Sequence, residues 1–240
     1  MMTHEFAQIY LKKHVLITGG MGFIGSALAH RLFELGSHLT IVDSMDPFSG
    51  GNYYNLHGIM DKVVFIKADI GDESLVGPLL KGQDYLFNLA GQISHVGSMK
   101  DPYADLQANG LSQLTLLEMC GKYNPEVRIV YSSTRQIYGK TQYLPVDENH
   151  PLAPVDMNGV SKLTGECYHL VSHRVNKLQT SILRMTNVYG PRMRVRDAYK
   201  SFIGFWIRQL IEGKELPVFG TGRQIRDFNY VDEIGRASCR

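Results

Sequence analysis

Four glycines in seven residues, Gly19, Gly20, Gly22 and Gly25, separate an apolar run, Val15-Leu-Ile-Thr18, from a stretch with leucines at helical spacing, Leu28, Leu32 and Leu35. Few backbones accept that arrangement. A short β-branched run ending in glycines suits a buried parallel strand. Gly20-Met-Gly22-Phe-Ile-Gly25 fits the pattern G-x-G-x-x-G, and Gly19 adds a second register. Glycines at a strand-to-helix turn permit a tight bend. They also let phosphates approach the amides at the positive end of the helix dipole.

Such a turn alone joins strand to helix in many proteins, and the next strand narrows the reading. Leu39-Thr-Ile-Val-Asp43 ends in a carboxylate 18 residues after Gly25, where an acid accepts hydrogen bonds from ribose hydroxyls. Asp43 would repel a 2′-phosphate, and Ser44-Met45 supplies no cation. The expected cofactor is therefore NAD rather than NADP, held in a Rossmann unit. Gly19, Gly22, Phe23, Ile24 and Gly25 would surround the pyrophosphate, and Asp43 would meet the adenosine ribose. Asp69, after a third apolar run, either faces the adenine beside Ile70 or serves as a helix N-terminal acid.

The rest of the chain extends the alternation. Helices are expected over Ser26–Leu35 (ended by Gly36), Asp72–Leu80, Leu106–Lys122 and Met157–Val175. Strands are expected at Val63–Ile66, Tyr85–Leu89, Arg128–Tyr131 and Thr180–Arg184. Strictly alternating strands and helices call for a doubly wound parallel α/β sheet, because parallel neighbours need crossover connections. After Tyr189-Gly-Pro191 the alternation stops, and Phe202–Ile211 reads as one amphipathic helix among glycine-, proline- and arginine-rich segments. The expected division is an NAD-binding Rossmann domain at 1–188 and a partial, truncated, smaller substrate-binding lobe at 189–232. Residues 233–240 back-translate as GAG ATC GGA AGA GCG TCG TGT AGG, which resembles a sequencing adapter read as coding sequence. They are taken as a non-native tail that includes Cys239, the alternative being a genuine polar terminus.

Charge and cysteine usage remove other classes. A formal charge of +2 argues against nucleic acid or an anionic membrane as the main partner. Cys120, Cys167 and Cys239 have no metal-like spacing, so no metal site is expected and a reducing cytoplasm fits. Met1 to Lys13 lacks a signal-peptide layout, and no segment approaches the roughly 18 apolar residues of a membrane span.

Further motifs occur in a fixed order: Asn88-Leu-Ala-Gly91, Ser132-Ser-Thr134, Tyr138-Gly139, Gly159-Val-Ser-Lys162, Arg184-Met-Thr-Asn-Val-Tyr-Gly-Pro191 and Gln224-Ile-Arg-Asp-Phe-Asn-Tyr-Val-Asp232. With the glycine turn, this order resembles the extended short-chain dehydrogenase/reductases, above all their NAD-dependent nucleotide-sugar epimerase/dehydratase group, over Val15 to Asp232. The resemblance implies hydride transfer from a sugar carbon to NAD while a base takes the hydroxyl proton. It implies Leu89 and Ala90 at the cofactor and Thr134 as the serine/threonine that holds the sugar oxygen. Lys162 would be the lysine at the nicotinamide ribose. It also implies a homodimer through helices such as Leu106–Lys122 and Met157–Val175.

Two departures from that pattern matter. Four residues before Lys162, where the family has its tyrosine, stands Asn158. An amide hydrogen-bonds a sugar oxygen but does not shuttle a proton near neutral pH, which leaves His95, Tyr138, Lys162 acting through water, or a residue beyond Asp232 to do so. Secondly, Arg135-Gln136 replaces the acid that dehydratases and decarboxylases carry two residues before the Tyr-Gly. Epimerisation, resembling that of UDP-glucose 4-epimerase, is then the expected reaction. The alternatives are an NAD- or nucleotide-sugar-binding module that has lost its tyrosine, and a related reductase or dehydratase. On the substrate side the resemblance places Ser94 and His95 against the sugar and Asn187 and Arg226 at the diphosphate. Arg192 is expected to be solvated, and Arg194 and Arg196 to be exposed or at the lobe junction. Trp206 is expected to pack in a core.

Overall fold

The computed structural model describes residues 8–47, 49–196, 201–218 and 220–238, the last four as backbone. Met1–Ala7 and Cys239 lie outside the described residues. Six parallel strands form the main sheet: β1 (His14–Thr18), β2 (His38–Asp43), β3 (Val64–Lys67), β4 (Tyr85–Asn88), β5 (Arg128–Thr134) and β6 (Gln179–Met185), in spatial order β3-β2-β1-β4-β5-β6. This is the expected doubly wound Rossmann order, and the chain reverses direction across the sheet between β1 and β4. Ligands of such sheets sit outside the carboxyl ends of the strands at that point.

Period-2 alternation divides each inner strand between two cores. Val15, Ile17, Leu39, Ile41, Tyr85 and Phe87 pack on one face with Leu28, Ala29 and Leu32 of α1 (Phe23–Glu34). Leu16, Val42, Leu86 and Ile129 pack on the other with Leu116, Leu117 and Cys120. Thr18 pairs with Val42 on one side and Asn88 on the other, so three strands end at one level. β5 instead continues past Tyr131, the partner of Asn88, to Thr134, and it lifts that residue above the edge.

The helices differ from the sequence expectation where capping and proline decide. Asp72 caps a short α2 (Glu73–Val76), accepting from the Ser74 amide at 3.0 Å, and Pro78 turns the remainder into a 3-10 turn. Asp69 is therefore not the helix cap. Following α3 (His95–Lys100), the helix expected from Leu106 begins earlier, because Asp101 accepts from the Ala104 amide at 2.9 Å and Pro102 occupies the first turn. That segment is α4 (Pro102–Leu106), followed by a π-helical turn, Gln107–Leu111, and then α5 (Ser112–Tyr123). α6 (Met157–Asn176) starts on Asp156, whose Oδ1 accepts from the Gly159 amide at 2.7 Å, and ends at the left-handed Lys177.

Beyond the sheet, β7 (Asn187–Tyr189) and β8 (Phe228–Tyr230) pair parallel, with α7 (Phe202–Ile211) between them in sequence. Trp206 is half-buried; its indole N–H donates to the Pro217 carbonyl at 3.2 Å, and its ring meets Phe202 edge-on. Arg196 is exposed, whereas Arg194 donates to the Ser49 carbonyl and ties this region to the loop after β2. α8 (Val231–Ser238) runs on through residues 233–238 and buries Val231 and Ile234, packing against α1. Among the described residues no helix is long and apolar enough to cross a membrane, and no cluster of histidine, cysteine and acidic residues could hold a metal.

Candidate active site

The glycine turn is built for a ligand to approach. Gly19 has φ +68°, and a Cβ there would lie 2.9 Å from the Ala90 nitrogen. At Gly25 a Cβ would lie 2.2 Å from the Gly19 carbonyl oxygen, so that turn closes only on glycine. At Gly22 the sole nearby atom is the Gly19 oxygen, at 3.2 Å. Gly22 is also the N-cap of α1 and has no side chain to satisfy the first amides, Phe23 to Gly25. Those amides are left for an anion.

Asp43 lies beside this turn. Its Oδ2 accepts from the Met21 amide at 3.0 Å and its Oδ1 from the Met45 amide at 2.9 Å. Burial raises its pKa, the two amides oppose that, and each oxygen keeps a lone pair for a ribose hydroxyl. Asp69 is exposed beside buried Ile70, and its Oδ1 accepts from the Gly71 amide at 2.8 Å and from Ser112 Oγ at 3.2 Å. These donors and acceptors fit NAD.

From the turn, the edge leads to Lys162 by contact. Thr18 Oγ1 accepts from the Leu89 and Ala90 amides at 3.1 and 3.2 Å and donates to Asn88 Oδ1 at 2.8 Å. One residue on, a Cβ at Gly91 would lie 2.7 Å from Lys162 Nζ. Lys162 is 5% exposed and donates to the Ser132 carbonyl at 3.3 Å. Burial pulls its pKa down to about 8, against the opposing charge of Asp105.

Asn158, one helical turn before Lys162, is buried. Its amide nitrogen donates to the Gln92 carbonyl at 2.9 Å and to both oxygens of Asp105 at 3.0 and 3.1 Å. Asn109 donates to the same carboxylate and the same carbonyl. Asp105 has no exposed surface, and burial raises its pKa against the hydrogen bonds from Asn158 and Asn109. With the Asn158 nitrogen committed inward, its Oδ1 is left as an acceptor.

Thr134 is half-buried at the end of β5, and its hydroxyl accepts from the Gln136 amide at 3.2 Å. Ser94 is buried and caps α3, accepting from the Gly97 amide at 3.0 Å. His95 follows it, half-exposed, with Nδ1 on Asp156 Oδ2 and Nε2 on the Gln136 amide nitrogen. Tyr138 is buried, its hydroxyl accepting from Arg184 Nη1 at 2.8 Å. Arg184 also bonds Glu166 at 2.6 Å, and Glu166 accepts from Ser133 Oγ at 2.6 Å. Thr134 thus projects from a strand that is locked from behind.

Asn187 and Arg226 are further out. Asn187 Nδ2 donates to the Asp227 carbonyl at 2.9 Å, and its Oδ1 accepts from Arg135 at 3.4 Å. Desolvation, and then the charge of the nearby Arg226, lowers the Arg135 pKa, with Asp227 opposing. Two guanidiniums therefore share this corner, and Arg226 itself is exposed.

The NAD dependent epimerase/dehydratase family model matches residues 15–240. The chain belongs to this family. It is 35% identical over 225 residues to a putative UDP-glucose 4-epimerase of Methanocaldococcus jannaschii, covering 93% of this chain and 72% of that protein. Among solved structures, the UDP-N-acetylglucosamine 4-epimerase of Methanobrevibacter ruminantium, in complex with UDP-N-acetylmuramic acid, matches with TM-score 0.88 and 32% identity. That match covers 95% of this chain and 72% of the other. A double mutant of the dTDP-glucose 4,6-dehydratase of Streptomyces venezuelae, with NAD bound, matches with TM-score 0.86 and 27% identity, covering 94% and 70%.

Within this family member the structure brings together the expected Gly19–Gly25 turn, Asp43, Leu89, Ala90, Thr134, Asn158 and Lys162 along one sheet edge. Ser94 caps the helix that follows the loop after β4, His95 bonds Gln136 and Asp156, and Asn187 and Arg226 both neighbour Arg135. Sequence reading passed over Asp105, Asn109 and Asp156. The Asp105–Asn109 spacing of four, which places two side chains on one helix face, was the available signal. Asp156 looks like an ordinary cap, and its second contact, to His95, crosses 61 residues.

Proposed function

We propose that the protein is an NAD-dependent epimerase of a nucleotide-diphosphate sugar, working through a transient keto sugar. The observation that carries this reading is the convergence of Thr134, Asn158 and Lys162 beside the glycine turn, with Arg135-Gln136 in place of an acid in the turn after Thr134. The relatives named as UDP-sugar 4-epimerases support it. NAD, when bound, accepts a hydride from the sugar carbon and returns it. Lys162 holds the nicotinamide ribose, and its buried ammonium favours loss of a proton from a neighbouring hydroxyl. Thr134 and the Asn158 Oδ1 hold the sugar oxygens. Asn187 and Arg226, with Arg135, meet the diphosphate, since guanidinium forks match phosphate oxygens. Ser94 sets the start of α3 so that His95 faces the sugar. Asp69 and Ile70 flank the adenine. Exposed Tyr103, Leu106, Met157 and Val160 on α4 and α6 favour a homodimer through that face.

Conversion of one nucleotide sugar into its epimer, followed by product separation across UDP-, dTDP-, GDP- and CDP-sugars, tests the reading. Lys162→Ala should abolish conversion. Asn158 favours a second reading, a module that binds NAD and nucleotide sugar without turnover. Bound NAD with no conversion across that panel would establish it instead.

A further inference from the structure

The epimerase reading requires a group that takes the sugar hydroxyl's proton, and Asn158 does not. The structure disposes of the nearby alternatives. The Tyr138 hydroxyl is held by Arg184, whose guanidinium also lies 5.1 Å from its ring centre. The Tyr131 hydroxyl is buried, and burial moves its pKa upward. Asp105 is sealed behind Asn109 and Asn158. Lys162 is buried and turned to the Ser132 carbonyl.

His95 is placed otherwise. Its imidazole spans the gap between the turn after Thr134, which it meets at Gln136, and the start of α6, which it meets at Asp156. Gln136 is two residues from Thr134, and Asp156 is two residues from Asn158. Asp156 is fixed by its other oxygen, which accepts from the Gly159 amide at 2.7 Å. Assigning the Nδ1 proton to Asp156 leaves a lone pair on Nε2 opposite a neutral amide that a sugar hydroxyl can replace. His95 remains half-exposed, so substrate can reach it. The charged groups on the surrounding elements include Asp101 before and Asp105 on α4, Asp156 before and Lys162 and Glu166 on α6, and Arg135 after β5. Lys100 ends its own helix. Of these, among the described residues, Asp156 alone bonds the ring.

We infer that the His95–Asp156 pair is the proton-transfer centre of this site, with His95 Nε2 as the base and Asp156 as its positioning residue. The inference rests on the epimerase reading. The O–H bond of the sugar hydroxyl breaks and its proton passes to Nε2. The hydride leaves the same carbon for NAD as the C=O bond forms. After the keto sugar turns over, hydride and proton return to the opposite face and to the oxygen, and His95 is neutral again.

His95→Gln should lower kcat by about 100-fold or more while leaving the NAD dissociation constant within about twofold. Asp156→Asn keeps a competent helix cap. It should lower kcat by about tenfold or more, with KM for the nucleotide sugar within about twofold and Tm near wild type, because a neutral amide does not offset the charge that His95 gains with the proton. A His95→Gln enzyme within about threefold of wild-type kcat would overturn the pair and leave the epimerase reading standing. So would an Asp156→Asn enzyme whose kcat is unchanged. A wild-type protein that binds NAD but converts no nucleotide sugar would overturn the epimerase reading, and the proton-transfer role with it.

Discussion

Both carboxylate oxygens of Asp105 accept from the side-chain nitrogen of Asn158, at 3.0 and 3.1 Å, across 53 residues of sequence. Asn109 donates to the same two oxygens at 3.0 and 3.1 Å. Two amides clamped on one buried acid fix the direction in which Asn158 presents its oxygen.

Removing the acid leaves both amides with the Gln92 carbonyl alone to share. Asp105→Ala should lower unfolding stability by about 3 kcal/mol, read from the denaturant midpoint, because hydrogen bonds to a charged group contribute about 1.5–3 kcal/mol each. Asp105→Asn keeps one acceptor oxygen and should cost less. An unchanged midpoint for the alanine variant would mean the clamp adds nothing.

Asn158 itself should behave as a binding group. Asn158→Ala is expected to raise KM for the nucleotide sugar about tenfold, the equivalent of one hydrogen bond, with the pH profile of kcat unmoved. A displaced profile would show that Asn158 takes part in proton transfer.

Two glycines of the turn should fail differently. A Cβ at Gly25 meets backbone at 2.2 and 2.8 Å, so Gly25→Ala should lower both Tm and NAD affinity. At Gly22 the added methyl meets only one oxygen, at 3.2 Å, at the uncapped start of α1. Gly22→Ala should therefore keep Tm near wild type and weaken NAD binding by about tenfold or more. Differential scanning fluorimetry and NAD titration separate the two outcomes.

Lys162 links the site to pH. Its folded pKa, about 8, lies below the ordinary lysine value of 10.5, so the unfolded chain holds this proton over a pH range where the folded one has released it. Stability then rises with pH between those two values. Wild type should gain on the order of 3 kcal/mol over Lys162→Met across that window, at about 1.4 kcal/mol per unit. Parallel stability curves for the two proteins would contradict it.

Behind Thr134, the Arg184–Glu166 pair is nearly dry, with side-chain exposures of 18% and 2%. Arg184→Met strands the Glu166 carboxylate and releases the Tyr138 hydroxyl, so it should cost about 3–5 kcal/mol. Pairing it with Glu166→Leu should recover part of that loss.

Much of this was legible in local pattern. The alternation of apolar runs and helical spacings marks out the sheet, and Gly19–Gly25 followed by Asp43 marks the cofactor edge, because each signal lies within one βα unit. Asn158 is visible by its spacing from Lys162. The clamp on Asn158 was hidden, since it joins α4 to α6 and depends on a helical register that departs from 3.6 residues per turn. Asp156 was hidden because capping α6 explains an acid there by itself. Asp69 needed Asp72 to be seen taking the capping role before its own carboxylate was left facing outward.

The π turn at Gln107–Leu111 is where that register departs. Upstream of it, Asp105 grips the reacting centre; downstream, Gln113 Oε1 accepts from Asn88 Nδ2 at 2.6 Å and braces the sheet. An α-helix advances about 100° per residue, so winding these same residues as a regular α-helix, without the wider i→i+5 turn, would set the two ends out of phase by that angle. Either the grip or the brace would then point away from its partner. The surplus residue acts as a phase shifter, letting one continuous helical run serve the chemistry at one end and the scaffold at the other.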